Sequence, residues 1–314
     1  DKDIVVEPEN IADWEYTEED DGTITLTSYK GTDTTVIIPN SINGKKVKKL
    51  SGTTPSLAAG THKVYFSIWN AEIRNGNEHD NVSFGYCKGQ DTITKVIISP
   101  GIEEIGTASD GVFTYSTALK EIIIPDTVVK IGPATFWGCK ELKKVNIPKK
   151  VDTISNGTFA CCTNLESITI PSNVTSIGEN AFGMCKNLSS IIIPSSVTAI
   201  GDYAFSGCEN LSNIIIPSSV TSIGNHAFSG CSNLLNITIP SSVTSIGDHA
   251  FSVCSNLLNI TIPASVTTMG SEVFGIIPSI TVNVPFKEGE QPSGWDANWN
   301  QTNSDCTITV NYAK

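Results

Sequence analysis

A β-rich solenoid, one short supersecondary unit stacked on itself many times, is the fold this sequence predicts. Three observations predict it: a proline that returns every 23 residues, apolar columns in the same phase, and unlike segments at the two ends. Pro125, Pro148, Pro171, Pro194, Pro217, Pro240 and Pro263 each close an apolar-x-apolar run. The same register carries a Leu column from Leu119 to Leu257, a Phe column from Phe136 to Phe274 and a Val column from Val151 to Val266. Self-similarity at a fixed short period marks a repeat array, whose units bury a core only when stacked.

Each unit can be read physically. Leu211 to Ile216 has the period-2 alternation and β-branching of a strand. Pro217 has no N–H, so it ends that strand's ladder and turns the chain. Val220 and Ile223 then point inward, and Gly224 relieves a corner, expected at positive φ. Ala227 and Phe228 suit a short helical or 3-10 turn on the far side. One strand per 23 residues would then form a continuous parallel stack through residues 119–284, with a spacing of about 4.8 Å.

The ends break the pattern because an uncapped coil exposes an apolar cross-section and a sheet edge. Residues 1–50 read as an N-terminal hairpin cap and first repeat, carrying Trp14, Tyr16 and an acidic turn at Asp21-Gly22. Residues 51–94 read as an insertion that interrupts the first coil, 95–285 as regular repeats, and 286–314 as a C-terminal cap.

Composition narrows the function. The 314 residues carry a net charge of -12, and Arg74 is the only arginine among 20 basic residues, which argues against a nucleic-acid partner. No apolar run reaches the roughly 20 residues that a membrane-spanning helix needs. The opening Asp1-Lys2-Asp3 reads as a mature or trimmed start, with any signal peptide already removed.

Chemistry-bearing residues mostly follow the repeat. Cys139, Cys162, Cys185, Cys208, Cys231 and Cys254 form one column, and stacked positions cannot build a metal tetrahedron or bridge well. They read as buried free thiols filling space; Cys87, Cys161 and Cys306 lie outside that set or at its edge, and Cys306 is a candidate for a capping disulfide. His226 and His249 share a column with Asn180 and Tyr203, read as a solvent-facing variable position. No catalytic triad order, zinc-helix motif, phosphate loop or carboxylate pair stands in a convincing context, so no catalytic residue, metal or cofactor is expected.

Binding is expected on the outward face. The outward strand pairs, among them Glu121/Ile123, Lys144/Asn146, Ser167/Thr169, Ser190/Ile192 and Asn213/Ile215, become small, neutral and monotonous from 163 to 275. Variety is concentrated earlier, where the insertion carries Tyr65 and Trp69 and the turn pair Asn75-Gly76. A lysine cluster follows: Lys120, Lys130, Lys140, Lys143, Lys144, Lys149 and Lys150. Tyr65, Trp69, Lys143, Lys144, Lys149 and Lys150 are the candidate ligand-binding residues, aromatic anchors flanked by positive charge.

The unit L-x-x-I-x-I-P-x-x-V-x-x-I-G-x-x-A-F-x-x-C resembles the BspA-like, Treponema-pallidum-type leucine-rich repeats of bacterial surface proteins, closely over residues 95–285. That resemblance implies a leucine-rich-repeat solenoid in a secreted or cell-surface protein, and the missing catalytic motifs argue that it is not an enzyme. It implies an adhesion-type contact with a host protein or another bacterium; the partner expected here is an extracellular protein or glycan, and the chain itself is expected to be a monomer. An architectural stalk displaying other domains is the alternative.

Overall fold

The computed structural model describes residues 4–51, 93–106, 111–302 and 306–313. It is a solenoid of parallel strands with coils of 23 residues, as the repeat predicts. Each coil supplies two strands where one was expected. In one coil these are Asn213–Ile215 and Ser222–Ile223, paired in parallel with Asn236–Thr238 and Ser245–Ile246 of the next. The proline between them accepts a bond from the N–H three residues on, Val220 to Pro217 at 3.0 Å, so it ends one strand and turns the chain into the second. A two-residue strand is too short to show alternation in sequence, which is why only the first was legible.

The third side of each coil is built from turns, and the only 3-10 helix among the described residues is Ile11–Asp13, outside the repeats. Its main chain alternates between bonds within the coil and bonds to the next, as with Cys208 N to Phe205 O at 3.2 Å and Phe205 N to Ala227 O at 2.8 Å. Two columns there sit at positive φ. Asn180, Tyr203, His226 and His249 occupy one (φ 53 to 55°), and Met184, Gly207, Gly230 and Val253 occupy the other (φ 59 to 74°).

The corner glycines play a different part from the one expected. Gly224 is not among the positive-φ residues. A Cβ placed on it would lie 2.5 Å from the amide nitrogen of Asp202 and 2.6 Å from the carbonyl carbon of Gly201. Glycine is required there because two main chains approach too closely for any side chain.

Inside, Phe136, Phe159, Phe182, Phe205, Phe228, Phe251 and Phe274 are fully buried and stacked, with centroids 5.3 to 6.0 Å apart. Leu, Ile and Val columns complete one contiguous core. At the N-terminal end Trp14–Glu18 and Ile24–Tyr29 form an antiparallel pair, and Ile24–Tyr29 starts the parallel stack through Lys45–Leu50. At the other end Trp299 packs edge-on against Phe274, with Trp295 beside it.

The expected unbroken stack is interrupted. The first-strand ladder runs from Thr35–Ile38 through Lys95–Ile98 and Glu121–Ile123 to Lys144–Val145, then stops; Ser167–Thr169 pairs only onward, with Ser190–Ile192. Further along, the first strands pair as Asn213–Ile215 with Asn236–Thr238, and Asn259–Thr261 with Ser279–Asn283. The second-strand ladder breaks once within the regular coils, between Lys130–Ile131 and Thr153–Ile154, and is continuous from there to Gly294–Trp295. The coil at 142–164 therefore pairs backward through its first strand and forward through its second.

Ser155 explains the second break. It stands in the corner column between Gly132 and Gly178. Gly178 N donates to Ile154 O at 2.8 Å, but at this joint the Ser155 hydroxyl donates to Ile131 O at 2.7 Å instead. A Cβ does not fit the close main-chain approach found at the glycines of this column, and here a side chain replaces the main-chain bond.

Candidate functional site on the sheet face

The first-strand ladder stops beside the lysines. Lys143 precedes and Lys144 begins the strand Lys144–Val145, which is only two residues long. In place of a third ladder residue, the Asn146 side chain accepts from Ile124 N at 2.9 Å and donates to Ile124 O at 2.6 Å. That side chain ties the strand's end back to the preceding coil. Val145 is half-buried, whereas Ile168 and Ile191 at the same position are buried. Pro148 then turns the chain, Val151 N bonding Pro148 O at 3.1 Å, which places Lys149 and Lys150 at the exposed centre of the turn.

Between this coil and the next lies an open depression of about 760 Å³. Lys143, Lys144 and Lys149 line it from one coil, and Ser167, Thr169, Ser172 and Asn173 from the next. Glu121 also lines it and is paired to Lys95 at 3.0 Å. Among the described residues no carboxylate is within ion-pair distance of Lys143, Lys144, Lys149 or Lys150. The structure thus gathers three of the nominated lysines; Lys150 sits beside them without lining the depression. Tyr65 and Trp69 lie outside the described residues, as do Cys87 and the turn Asn75-Gly76. Lys130 belongs to the second strand, so the lysine cluster does not form one patch.

The cysteine column is buried, and each thiol lies at hydrogen-bond distance from a carbonyl one coil back. Cys162 Sγ is 3.1 Å from Phe136 O, and the same contact recurs from Cys139 to Cys254. Burial pushes Cys139 and Cys254 up to about 12, and Cys162, Cys208 and Cys231 well above the ordinary thiol range. Cys161, half-buried at φ 59°, is raised to about 11 by the same cause. Cys306 is half-buried in the C-terminal region.

The histidine column is more constrained than a variable surface position. Tyr203 and His226 stack at 4.6 Å between centroids, and His226 and His249 at 4.7 Å. Among the described residues no group of three or more His, Cys, Asp or Glu is placed to hold a metal ion. The outward pairs are confirmed by alternate exposure, and Ile192 and Ile215 are each 82% exposed. Leu235 and Leu258 also face solvent. Sequence reading missed them, although each is the second Leu of a doublet at a position held elsewhere by Lys, Glu or Ser.

Fold and repeat define a leucine-rich-repeat solenoid. The BspA type Leucine rich repeat region matches in 6 copies over residues 80–199 and 176–288, and the chain belongs to that family. A leucine-rich repeat protein from Bacteroides ovatus superposes with a TM-score of 0.64 at 24% identity, over 96% of this chain and 67% of that one. A leucine rich cell surface protein from Faecalibacterium prausnitzii gives 0.59 at 25% identity, over 91% and 76%. The T. pallidum leucine-rich repeat protein gives 0.53 at 22%, over 79% and 89%. A search of curated proteins gave no match. Among the described residues no helix is long and apolar enough to cross a membrane.

Proposed function

We propose that this protein is a non-catalytic interaction module of a bacterial surface or secreted protein, contacting an extracellular protein or glycan through its N-terminal half. The observation that carries this reading is the depression where Lys143, Lys144 and Lys149 converge at an interruption of the sheet. The later coils repeat nearly the same outward residues and offer no unique address, while this joint differs from the rest in its side chains. Membership of the BspA-type family and the likeness to a protein described as cell-surface support the location. The insertion at 51–94, with Tyr65 and Trp69, is included in the proposed contact surface.

The test is a pull-down with extracellular matrix proteins alongside a glycan array, repeated with Lys143, Lys144, Lys149 and Lys150 changed to Glu and, separately, with Trp69→Ala. Binding should weaken in both variants while the melting transition stays nearly unchanged. Undiminished binding in both would overturn the reading. A stalk that only displays other domains would bind in neither assay.

A further inference from the structure

We propose that the depression is a subsite for anionic saccharides, sugars carrying carboxylate or sulfate groups, which rests on the reading above and gives it a ligand class. Three departures from the repeat fall on this coil and the next. Asn146 ties its coil backward with its side chain, Ser155 stands in the glycine column, and Asn173 replaces a structural serine. Ser196, Ser219 and Ser242 hold the equivalent position in later coils, where each hydroxyl donates to a valine carbonyl of the preceding coil at 2.5 to 2.7 Å. Asn173 makes no such bond and lines the depression instead.

The lining chooses the ligand. Three exposed lysines supply positive charge without a carboxylate partner, and Lys presents compact, separate charges suited to anions spread along a chain. Opposite them the side chains of Ser167, Thr169, Ser172 and Asn173 make no hydrogen bond among the described residues, which leaves hydroxyl and amide groups to meet sugar hydroxyls. An acidic peptide is a poorer fit because peptide contacts concentrate energy in buried aromatic or Arg anchors, and the lining has neither. A neutral sugar leaves the lysines unused. The volume, about 760 Å³, lies in the range of roughly 300–1,000 Å³ typical of small-ligand sites.

The experiment is calorimetric titration with three size-matched oligosaccharide series: sulfated oligomers from heparin, uronate oligomers from polygalacturonate, and neutral dextran oligomers. One or both anionic series should bind and dextran should not; which of them binds separates sulfate from carboxylate. The variant Lys143→Glu, Lys144→Glu, Lys149→Glu should lose at least about tenfold in affinity. A control with the same charge change elsewhere, Lys46→Glu, Lys130→Glu, Lys287→Glu, should stay within about twofold. Thr169→Val together with Asn173→Ala should weaken anionic binding several-fold while leaving its salt dependence unchanged.

Equal binding of dextran, or equal loss in the control variant, overturns the proposal. If neither anionic series binds yet a protein ligand from the pull-down is lost on charge reversal, the saccharide class falls and the site stands. If no ligand depends on these lysines, both readings fall.

Discussion

The Sγ of Cys208 lies 3.2 Å from the main-chain oxygen of Phe182, one coil earlier, and donates its proton there. The contact repeats along the column, so each buried thiol satisfies a carbonyl as well as filling space. Such a thiol is inert while folded, because burial opposes the thiolate and blocks access. Under native conditions, labelling of Cys139, Cys162, Cys185, Cys208, Cys231 and Cys254 should be slow and should follow unfolding. Rapid native labelling of all six would contradict the burial described.

The same burial makes stability depend on alkaline pH. An unfolded thiol ionises near pH 9, whereas Cys139 and Cys254 are pushed up to about 12 in the folded chain. Above pH 9 the folded state therefore holds more protons than the unfolded state, and stability falls as pH rises. The stabilisation is fully present below pH 9 and is lost between there and about 12. Each buried thiol should contribute a slope of about 1.4 kcal/mol per pH unit within that window. Urea melts from pH 7 to 11 should show Cys254→Ala with a shallower decline than the parent; identical slopes would remove the thiol from the account.

Phe205 is sandwiched between Phe182 and Phe228, with centroids 5.5 Å away on each side, and is fully buried. Neither neighbour can move into a vacated ring without dragging its coil. Phe205→Ala should cost about 3–5 kcal/mol, read from denaturant melts. Cys208→Ser should cost about 1 kcal/mol or less, since a hydroxyl can still donate to Phe182 O. Two neutral results would mean that these columns are not the core.

The period, the two outward residues of each first strand, the Phe ladder and the buried thiols were all legible because a repeat writes each structural position many times over. The second strand was hidden because Ser222 and Ile223 are too few to alternate. The backbone state of Tyr203 and His226 was hidden because positive φ is expected of glycine or asparagine, and here stacking against the neighbouring coil accompanies it. Gly224 shows the opposite: its place at a corner suggests a conformational need, and the need is for space. The clue to the broken ladder was present in sequence, in Ser155 among the corner glycines. Its meaning depended on knowing how closely the main chains approach there.

That space requirement makes a test of its own. A Cβ on Gly201 would stand 2.7 Å from the Gly178 carbonyl carbon and 2.8 Å from Glu179 N, both main-chain atoms that cannot step aside alone. Gly201→Ala should therefore cost about 1–3 kcal/mol by overpacking. Gly230, at φ 74°, would place a Cβ at 3.4 Å from Gly207 Cα, so Gly230→Ala strains conformation more than packing and should cost about 1 kcal/mol. If Gly201→Ala is the milder change in urea melts, the close-approach account fails.

The coil carrying the lysines should also be the weakest joint of the solenoid. Nearest-neighbour contacts hold repeat arrays together, so a joint with fewer main-chain bonds opens more readily than its neighbours. Ser155 bonds Ile131 O through its side chain alone, whereas Gly201 and Gly224 at the same position use main-chain N–H groups, to Ile177 O at 3.0 Å and Ile200 O at 2.9 Å. Thr153–Ile154 also lacks a second-strand partner in the preceding coil, whereas Ala199–Ile200 pairs with Ser176–Ile177. In hydrogen exchange, amides of residues 145–155 should exchange about tenfold or more faster than those of 191–201, reflecting an opening at least about 1.4 kcal/mol easier. Ser155→Gly restores the glycine of the column, makes room for a main-chain N–H bond to Ile131 O and should slow exchange at 153–155. Equal protection of the two segments in the parent protein would mean that the missing ladder bonds leave the joint as strong as any other.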